Sequence, residues 1–295
     1  MIKQIHSILH WMLPDSLFSY IKNWYRRQKL KSSVKINRGQ FIEIMTEKLG
    51  IKPGDTLFIH SSVRNLTIDF PITELVRLIR ELVGSEGTML LPTAQFRIRA
   101  EDYLADNPVF NVKRTKTEMG ILAEYTRRLK HAHRSLHPTN SVVAIGKNAK
   151  TLTAEHHKSI YPCGVDSPYY KIINYNGKII GIGVKPEDTM TFIHVVEDVL
   201  KEKFPIETRK KKLFKCEVVD ESGEKFFVDT LVASERIKHR NLKKYFFEHI
   251  KRDTIKSFSV NHIPFYVADS KKLFEEMKVL AKKGITIYTK RAYNK

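Results

Sequence analysis

Thr56-Leu57-Phe58-Ile59-His60-Ser61-Ser62-Val63-Arg64 is the stretch from which the rest of the chain is best read. It follows the turn Pro53-Gly54-Asp55, and its β-favouring start over 56–59 predicts a buried strand. That strand runs out into an imidazole, two hydroxyls and a guanidinium. Ligands of open α/β sheets bind at the carboxyl ends of strands, so these residues suit a phosphate or pantetheine contact. On this segment alone, an ordinary capping turn explains them equally well.

Outward from this strand the chain alternates. On the amino-terminal side Asn37 is placed to cap a helix through Leu49, with Gly50 as its left-handed stop. On the other side Leu75, Leu78, Ile79, Leu82 and Val83 form one helical face, and 88–91 reads as a strand stopped by Pro92. A helix over 118–129, a strand over 142–145, a helix over 149–156, a strand over 178–182 and a helix over 191–200 continue the rhythm. Beyond Phe204 two strands, 213–219 and 224–229, meet at the turn Glu221-Ser222-Gly223 and are expected at the sheet edge. Helices near 241–251 and 270–282 follow, the second capped by Asp269 or Ser270. The expected class is α/β: a mostly parallel central sheet between helices, three layers in all, with a C-terminal antiparallel addition.

Composition sets the outer limits. The 295 residues are 42% hydrophobic and 28% charged, enough apolar content for a sizeable core. Fifty-two Lys and Arg against 32 Asp and Glu give a net charge of +20, which favours anionic partners. Two cysteines, Cys163 and Cys216, make neither a disulfide scaffold nor a CxxC zinc framework, and they suit a reducing, cytoplasmic setting. No apolar run reaches the ~20 residues of a membrane span, and the first residues do not form a secretory signal.

Residues 1–38 read as a basic amphipathic extension to a catalytic domain over 39–295. Ile2, Ile5, Leu9 and Met12, then Leu17, Tyr20, Ile21 and Trp24, mark two short helices on either side of Pro14. Eight basic residues against Asp15 alone suit peripheral contact with an anionic membrane surface. Docking on the protein's own body, or forming a homodimer, is the plainer alternative.

Several motifs lead nowhere. Gly181-Ile182-Gly183 lacks the third glycine of a dinucleotide fingerprint, and Pro186 stands where its helix would open. His131, His133, His137, His156 and His157 crowd one region without recognised metal-ligand spacing, so they read as solvated loop histidines with one or two lining a site. The run Arg209-Lys210-Lys211-Lys212 reads as a phosphate contact or a charged edge strand. No nucleic-acid module is present to support nucleic-acid binding.

Thr191-Phe192-Ile193-His194-Val195-Val196-Glu197 carries more. On a helix His194 and Glu197 share a face, placing a carboxylate beside an imidazole, as a held general base requires. The chain resembles the aminoglycoside 3-N-acetyltransferase family through an ordered series of motifs. These are Gly54-Asp55, His60-Ser61-Ser62, Gly87-Thr88 leading to Leu91-Pro92-Thr93, and Gly120-Ile121-Leu122-Ala123-Glu124. Arg134-Ser135-Leu136-His137-Pro138, Pro162-Cys163-Gly164, Ser167-Pro168 and Thr191 to Glu197 complete it.

The resemblance implies an acetyl-CoA-dependent acetyltransferase without a metal. It assigns His194 as general base, Glu197 as its orienting acid, and Thr191 as a contact to the thioester or its oxyanion. It gives the CoA arm to His60, Ser61, Ser62, Val63, Arg64, Arg134, Ser135 and His137. No covalent acyl-enzyme is needed, although Cys163 leaves a ping-pong route open. Charge then points to an anionic or nucleotide-linked amino sugar as acceptor, destined for a surface polysaccharide. An aminoglycoside acceptor, sugar O-acetylation and a non-catalytic CoA-binding scaffold stand as alternatives.

Overall fold

Neighbouring side chains on the strands point into two different cores, and this sets the layering. On β1 (Thr56–Ser61) Leu57 and Ile59 enter one core and Phe58 the other. On β2 (Thr88–Pro92) Met89 and Leu91 part from Leu90, and Val143 and Ile145 part from Val142 and Ala144 further along the chain. A strand buried on both faces must be covered by helices on both sides. The computed structural model, which describes residues 34–293 together with Leu17, Tyr20, Ile21 and Gln28, has that arrangement.

The remaining strands are β3 (Val109–Asn111), β4 (His133–Arg134), β5 (Val142–Gly146), β6 (Lys178–Ile182), β7 (Arg209–Val219), β8 (Lys225–Ala233), β9 (Ile255–Val260) and β10 (Ile263–Asp269). Seven of the ten described strands form one sheet in the order β4-β5-β2-β1-β6-β10-β9. Its centre is parallel, with Phe58 beside Leu90 and His60 beside Gly181. β5 and β10 run against their neighbours, so the other five strands share one direction. The mostly parallel α/β class expected from the sequence is therefore the observed one.

One face is closed by the helix Ile72–Val83, which buries Leu75, Val76, Leu78, Ile79 and Val83. The other is closed by the helices His194–Leu200, Leu242–His249 and Ser270–Lys282. Asp269 caps the last of these by accepting the Lys272 N–H. Asn37 opens the helix Arg38–Glu43 with a capping box closed by Gln40. Ile36 is already buried, bridged to Ile68. Most of the extension expected over 1–38 lies outside the described residues; of its apolar stripes, Leu17, Tyr20 and Ile21 are described, and all three are exposed. Among the described residues no helix is long and apolar enough to cross a membrane.

Two elements differ from expectation. The hairpin after Phe204 does not extend the central sheet. β7 and β8 pair antiparallel and join β3 in a separate three-stranded sheet, around Leu104, Phe110, Phe214, Val218, Val228 and Val232. The antiparallel addition to the main sheet is instead β10 and β9, which lie between the helices expected near 241–251 and 270–282, where no element was expected. β10 is a seven-residue, mostly apolar stretch broken by Pro264, and short apolar runs do not separate strand from helix by period.

Gly181 acquires a purpose in this frame. A Cβ there would lie 2.0 Å from the Tyr266 ring, so only glycine lets β10 bring that tyrosine across β6. Tyr266 reaches the functional site by this route.

Candidate active site

After β6 the chain makes one short helix, Pro186–Thr189, then a tight turn, Thr191–Ile193, and enters the helix His194–Leu200. Val195 and Val196 are buried and anchor that helix in the core. Three residues of spacing then place His194 above Glu197. The His194 side chain is 18% exposed and that of Glu197 only 1%. His194 Nδ1 lies 2.9 Å from Glu197 Oε2, and the Tyr288 hydroxyl donates to Oε1 at 2.8 Å.

These contacts decide the tautomer. A carboxylate accepts, so Nδ1 carries the proton and the lone pair of neutral His194 is on Nε2. Burial works against an ionised Glu197. The charge and hydrogen bond of His194, with help from Arg209 and Tyr288, outweigh it and hold the carboxyl below its ordinary range. The arrangement can take a proton at Nε2 and stabilise the resulting cation through Nδ1.

The next residue binds a second pair. Asp198 accepts from Arg209 Nε and from its terminal nitrogen, both at 2.7 Å, and also from the Cys163 N–H at 2.7 Å. The Asp198 side chain is fully buried. Arg209, the first residue of the basic run, is thus an internal brace, and Lys210 pairs with Glu101 at 2.5 Å. The Cys163 thiol is buried, and burial together with Asp198 pushes its ionisation well up. A thiol held protonated is a poor nucleophile, which removes the support for a ping-pong route.

The residues expected to hold the CoA arm divide into two groups. Ser61, Ser62 and Val63 are half-buried and Arg64 is exposed, at the carboxyl end of β1. The Ser62 N–H donates to the Ile182 carbonyl at 3.0 Å, and Asn65 Nδ2 to that of Gly183 at 2.7 Å, tying this turn to β6. His60 faces inward. Its Nε2 accepts the Thr191 N–H at 3.3 Å, and its Nδ1 lies 3.0 Å from the Tyr266 hydroxyl. His60 therefore positions the turn that leads to His194. The Thr191 hydroxyl is 3.5 Å from the Thr189 carbonyl.

Arg134, Ser135 and His137 are also buried. Arg134 donates to the carbonyls of Thr93 at 2.5 Å and Thr115 at 2.6 Å, and its guanidinium lies over the Phe110 ring. Ser135 Oγ accepts the Val142 N–H at 2.9 Å and lies 2.8 Å from His156 Nδ1. His137 stacks on His156, with ring centroids 4.5 Å apart. The hydrogen bonds of these side chains thus go to the protein's own backbone and to neighbouring side chains. His137 and His156 are not the solvated loop histidines expected from the sequence. The polar loop that carries His137 is covered by β8, whose Thr230 hydroxyl lies 3.4 Å from its Nε2.

These buried histidines make the fold acid-sensitive. Burial lowers both His60 and His156 to about 3, and lowers His137 as well. In the unfolded chain the same groups titrate near 6.5. Stability is therefore full above about pH 6.5 and falls as acid protonates the unfolded state, down to about pH 3. Urea unfolding at pH 7 and pH 5 is expected to differ by on the order of 1–2 kcal/mol for each such histidine. Equal stability at the two pH values would contradict this.

Sequence reasoning missed Tyr288, Tyr266, Asp198 and the role of Arg209. Asp198 had a signal, since it directly follows Glu197 on a helix that is otherwise apolar at that end. The tyrosines had none, because each reaches the site from a distant segment. Among the described residues no group of three or more His, Cys, Asp or Glu is placed to hold a metal ion.

A central α/β sheet thus carries, in the helix after an inner strand, a partly exposed imidazole fixed by a buried carboxylate and able to accept a proton at Nε2. The chain belongs to the aminoglycoside 3-N-acetyltransferase family, whose sequence profile matches residues 58–281, and it is an acetyl-CoA-dependent N-acetyltransferase. It is 28% identical over 226 residues to aminoglycoside N(3)-acetyltransferase III of Pseudomonas aeruginosa, covering 71% of this chain and 78% of the relative. To the type III enzyme of Serratia marcescens it is 27% identical over 188 residues, 59% of this chain and 68% of the other. Among solved structures, aminoglycoside acetyltransferase AAC(3)-Xa superposes with a TM-score of 0.71 at 19% identity, over 90% of this chain and 99% of its own. AAC-IIIb in binary complex with CoASH gives a TM-score of 0.67 at 20% identity, over 87% and 100%. At such identities the two structures establish the shared fold.

Proposed function

We propose that the protein transfers the acetyl group of acetyl-CoA to an amine of an aminoglycoside-type amino sugar, with His194 as the general base. The observation that carries this reading is the His194–Glu197 pair, whose geometry leaves Nε2 free as the basic nitrogen. An amine attacks a thioester only when neutral. His194 Nε2 takes the amine proton as the C–N bond forms, and Glu197 stabilises the imidazolium. When the C–S bond breaks, the proton passes to the CoA thiolate. In this reading the Thr191 hydroxyl, one turn earlier, turns from the Thr189 carbonyl to donate to the oxyanion. Ser61, Ser62, Val63 and Arg64, at the strand end, suit the phosphates and amides of the CoA arm.

The net charge of +20 argues for an anionic acceptor only if it extends to the site. A cavity of about 480 Å³ beside Glu197 is lined by Tyr161, Lys201, Glu202, Glu207, Arg209, Lys210 and Lys211, among others. Arg209 is neutralised there by Asp198, and Lys210 by Glu101. Glu202 and Glu207 then offset the remaining two lysines, so on this side of Glu197 the net charge of the chain is not concentrated and gives no preference for an anionic acceptor. The relatives named as aminoglycoside acetyltransferases support an aminoglycoside acceptor. A nucleotide-linked amino sugar for a surface polysaccharide is the second reading, favoured by the overall charge.

Thiol release from acetyl-CoA, measured against panels of aminoglycosides and nucleotide-linked amino sugars, separates the two. We expect kcat/KM to be at least a hundredfold higher on the aminoglycoside panel. Turnover confined to nucleotide-linked sugars would reverse the assignment, and CoA binding without acceptor-dependent release would leave only a scaffold.

A further inference from the structure

We propose that Tyr288 is a positioning residue for acetyl transfer, locking the Glu197 carboxylate so that His194 presents Nε2 to the acceptor amine. The inference rests on the reading of His194 as the base. It concerns a residue beyond the 58–281 region that matches the family profile.

Glu197 is buried, and its two oxygens have different partners. Oε2 receives His194 Nδ1, and Oε1 receives the Tyr288 hydroxyl. The strongest neighbouring donor, Arg209, is taken up by its two-point contact with Asp198. With a donor on each oxygen the carboxylate plane cannot turn without breaking a charge-assisted bond in a dry setting. The tautomer and ring orientation of His194 follow from that plane.

Tyr288 is itself held in place. It forms an antiparallel bridge with Arg240, flanked by hydrogen bonds from the Asn241 N–H to the Ile287 carbonyl and from the Thr289 N–H to the His239 carbonyl, both 2.8 Å. Its ring meets Phe204 edge-on, with centroids 6.4 Å apart at 80°. Burial, reinforced by the Glu197 charge, keeps the phenol protonated, so it remains a donor. A C-terminal segment thus supplies the last contact of a pair formed nearly a hundred residues earlier in the chain.

Tyr288→Phe keeps the ring and removes the donor. We expect kcat to fall about tenfold, with the KM for acetyl-CoA and for the acceptor unchanged within twofold. In the Glu197→Gln background the same change is expected to cost little further, because the carboxylate it orients is gone. A purely packing role would instead give the same fractional loss in both backgrounds. Wild-type kcat in Tyr288→Phe overturns the proposal, as does equal loss in the two backgrounds. A variant that no longer binds CoA in a calorimetric titration also overturns it, since that assigns Tyr288 to structure alone. His194→Ala assayed alongside separates the two readings. Activity surviving in His194→Ala removes the base itself, whereas an inactive His194→Ala with unaffected Tyr288→Phe removes only the tyrosine's role.

Discussion

His194→Ala is expected to lower kcat by about 10²–10⁴-fold, the usual contribution of a positioned general base. The fold should hold, because Glu197 keeps the Tyr288 hydroxyl as a donor and, once the imidazole is gone, can take up a proton instead of remaining a buried charge. CoA affinity is expected within about twofold of wild type, because imidazole acts on the acceptor's proton and not on the donor. Glu197→Gln should fall less far, since it removes orientation and charge while the basic nitrogen remains. Steady-state kinetics with acetyl-CoA and the best acceptor, together with calorimetric CoA binding, test both. Full activity in His194→Ala would remove the mechanism, and loss of CoA binding would show that the histidine serves the fold.

Arg209→Met is expected to produce the largest loss of stability. It leaves Asp198 as an uncompensated charge in a site from which solvent is excluded. Breaking a buried pair by removing one partner costs about 3–5 kcal/mol, on the order of 10 °C in Tm for a chain of this size. Lys211→Ala, two residues along on the exposed part of β7, should change stability by no more than about 0.5 kcal/mol. The double variant Arg209→Met with Asp198→Asn should recover part of the loss, because the orphaned charge is gone. Thermal melts of the four proteins decide the matter. Equal Tm values for Arg209→Met and Lys211→Ala would show that the basic run is a solvated strand after all.

Much of this protein was legible in its sequence wherever the determinant is local. The bounds of β6 and of the helix Ser270–Lys282 agree with the apolar period and with the Asp269 cap, because such signals depend on residues within a few positions. The His194–Glu197 pair was visible for the same reason: a helix brings residues three apart onto one face whatever surrounds it. The order of strands and helices was enough to imply a sheet covered on both sides.

What the sequence left open was decided by contacts between distant segments. A histidine or arginine needs hydrogen-bond partners once buried, but its type does not reveal whether it will be buried or which group will meet it. His60 is tied to Tyr266, His137 lies against His156 and β8, and Arg134 is consumed by backbone carbonyls; each was equally compatible with a solvent-facing role. The hairpin β7–β8 carries the same alternating pattern whether it extends the main sheet or folds against β3, since edge pairing uses backbone groups that every strand offers. Sequence by itself determined the layers and the pairing of His194 with Glu197. The tertiary structure alone determined which polar groups are dry, which charges are cancelled and which tyrosine completes the pair, because these depend on burial and on long-range approach.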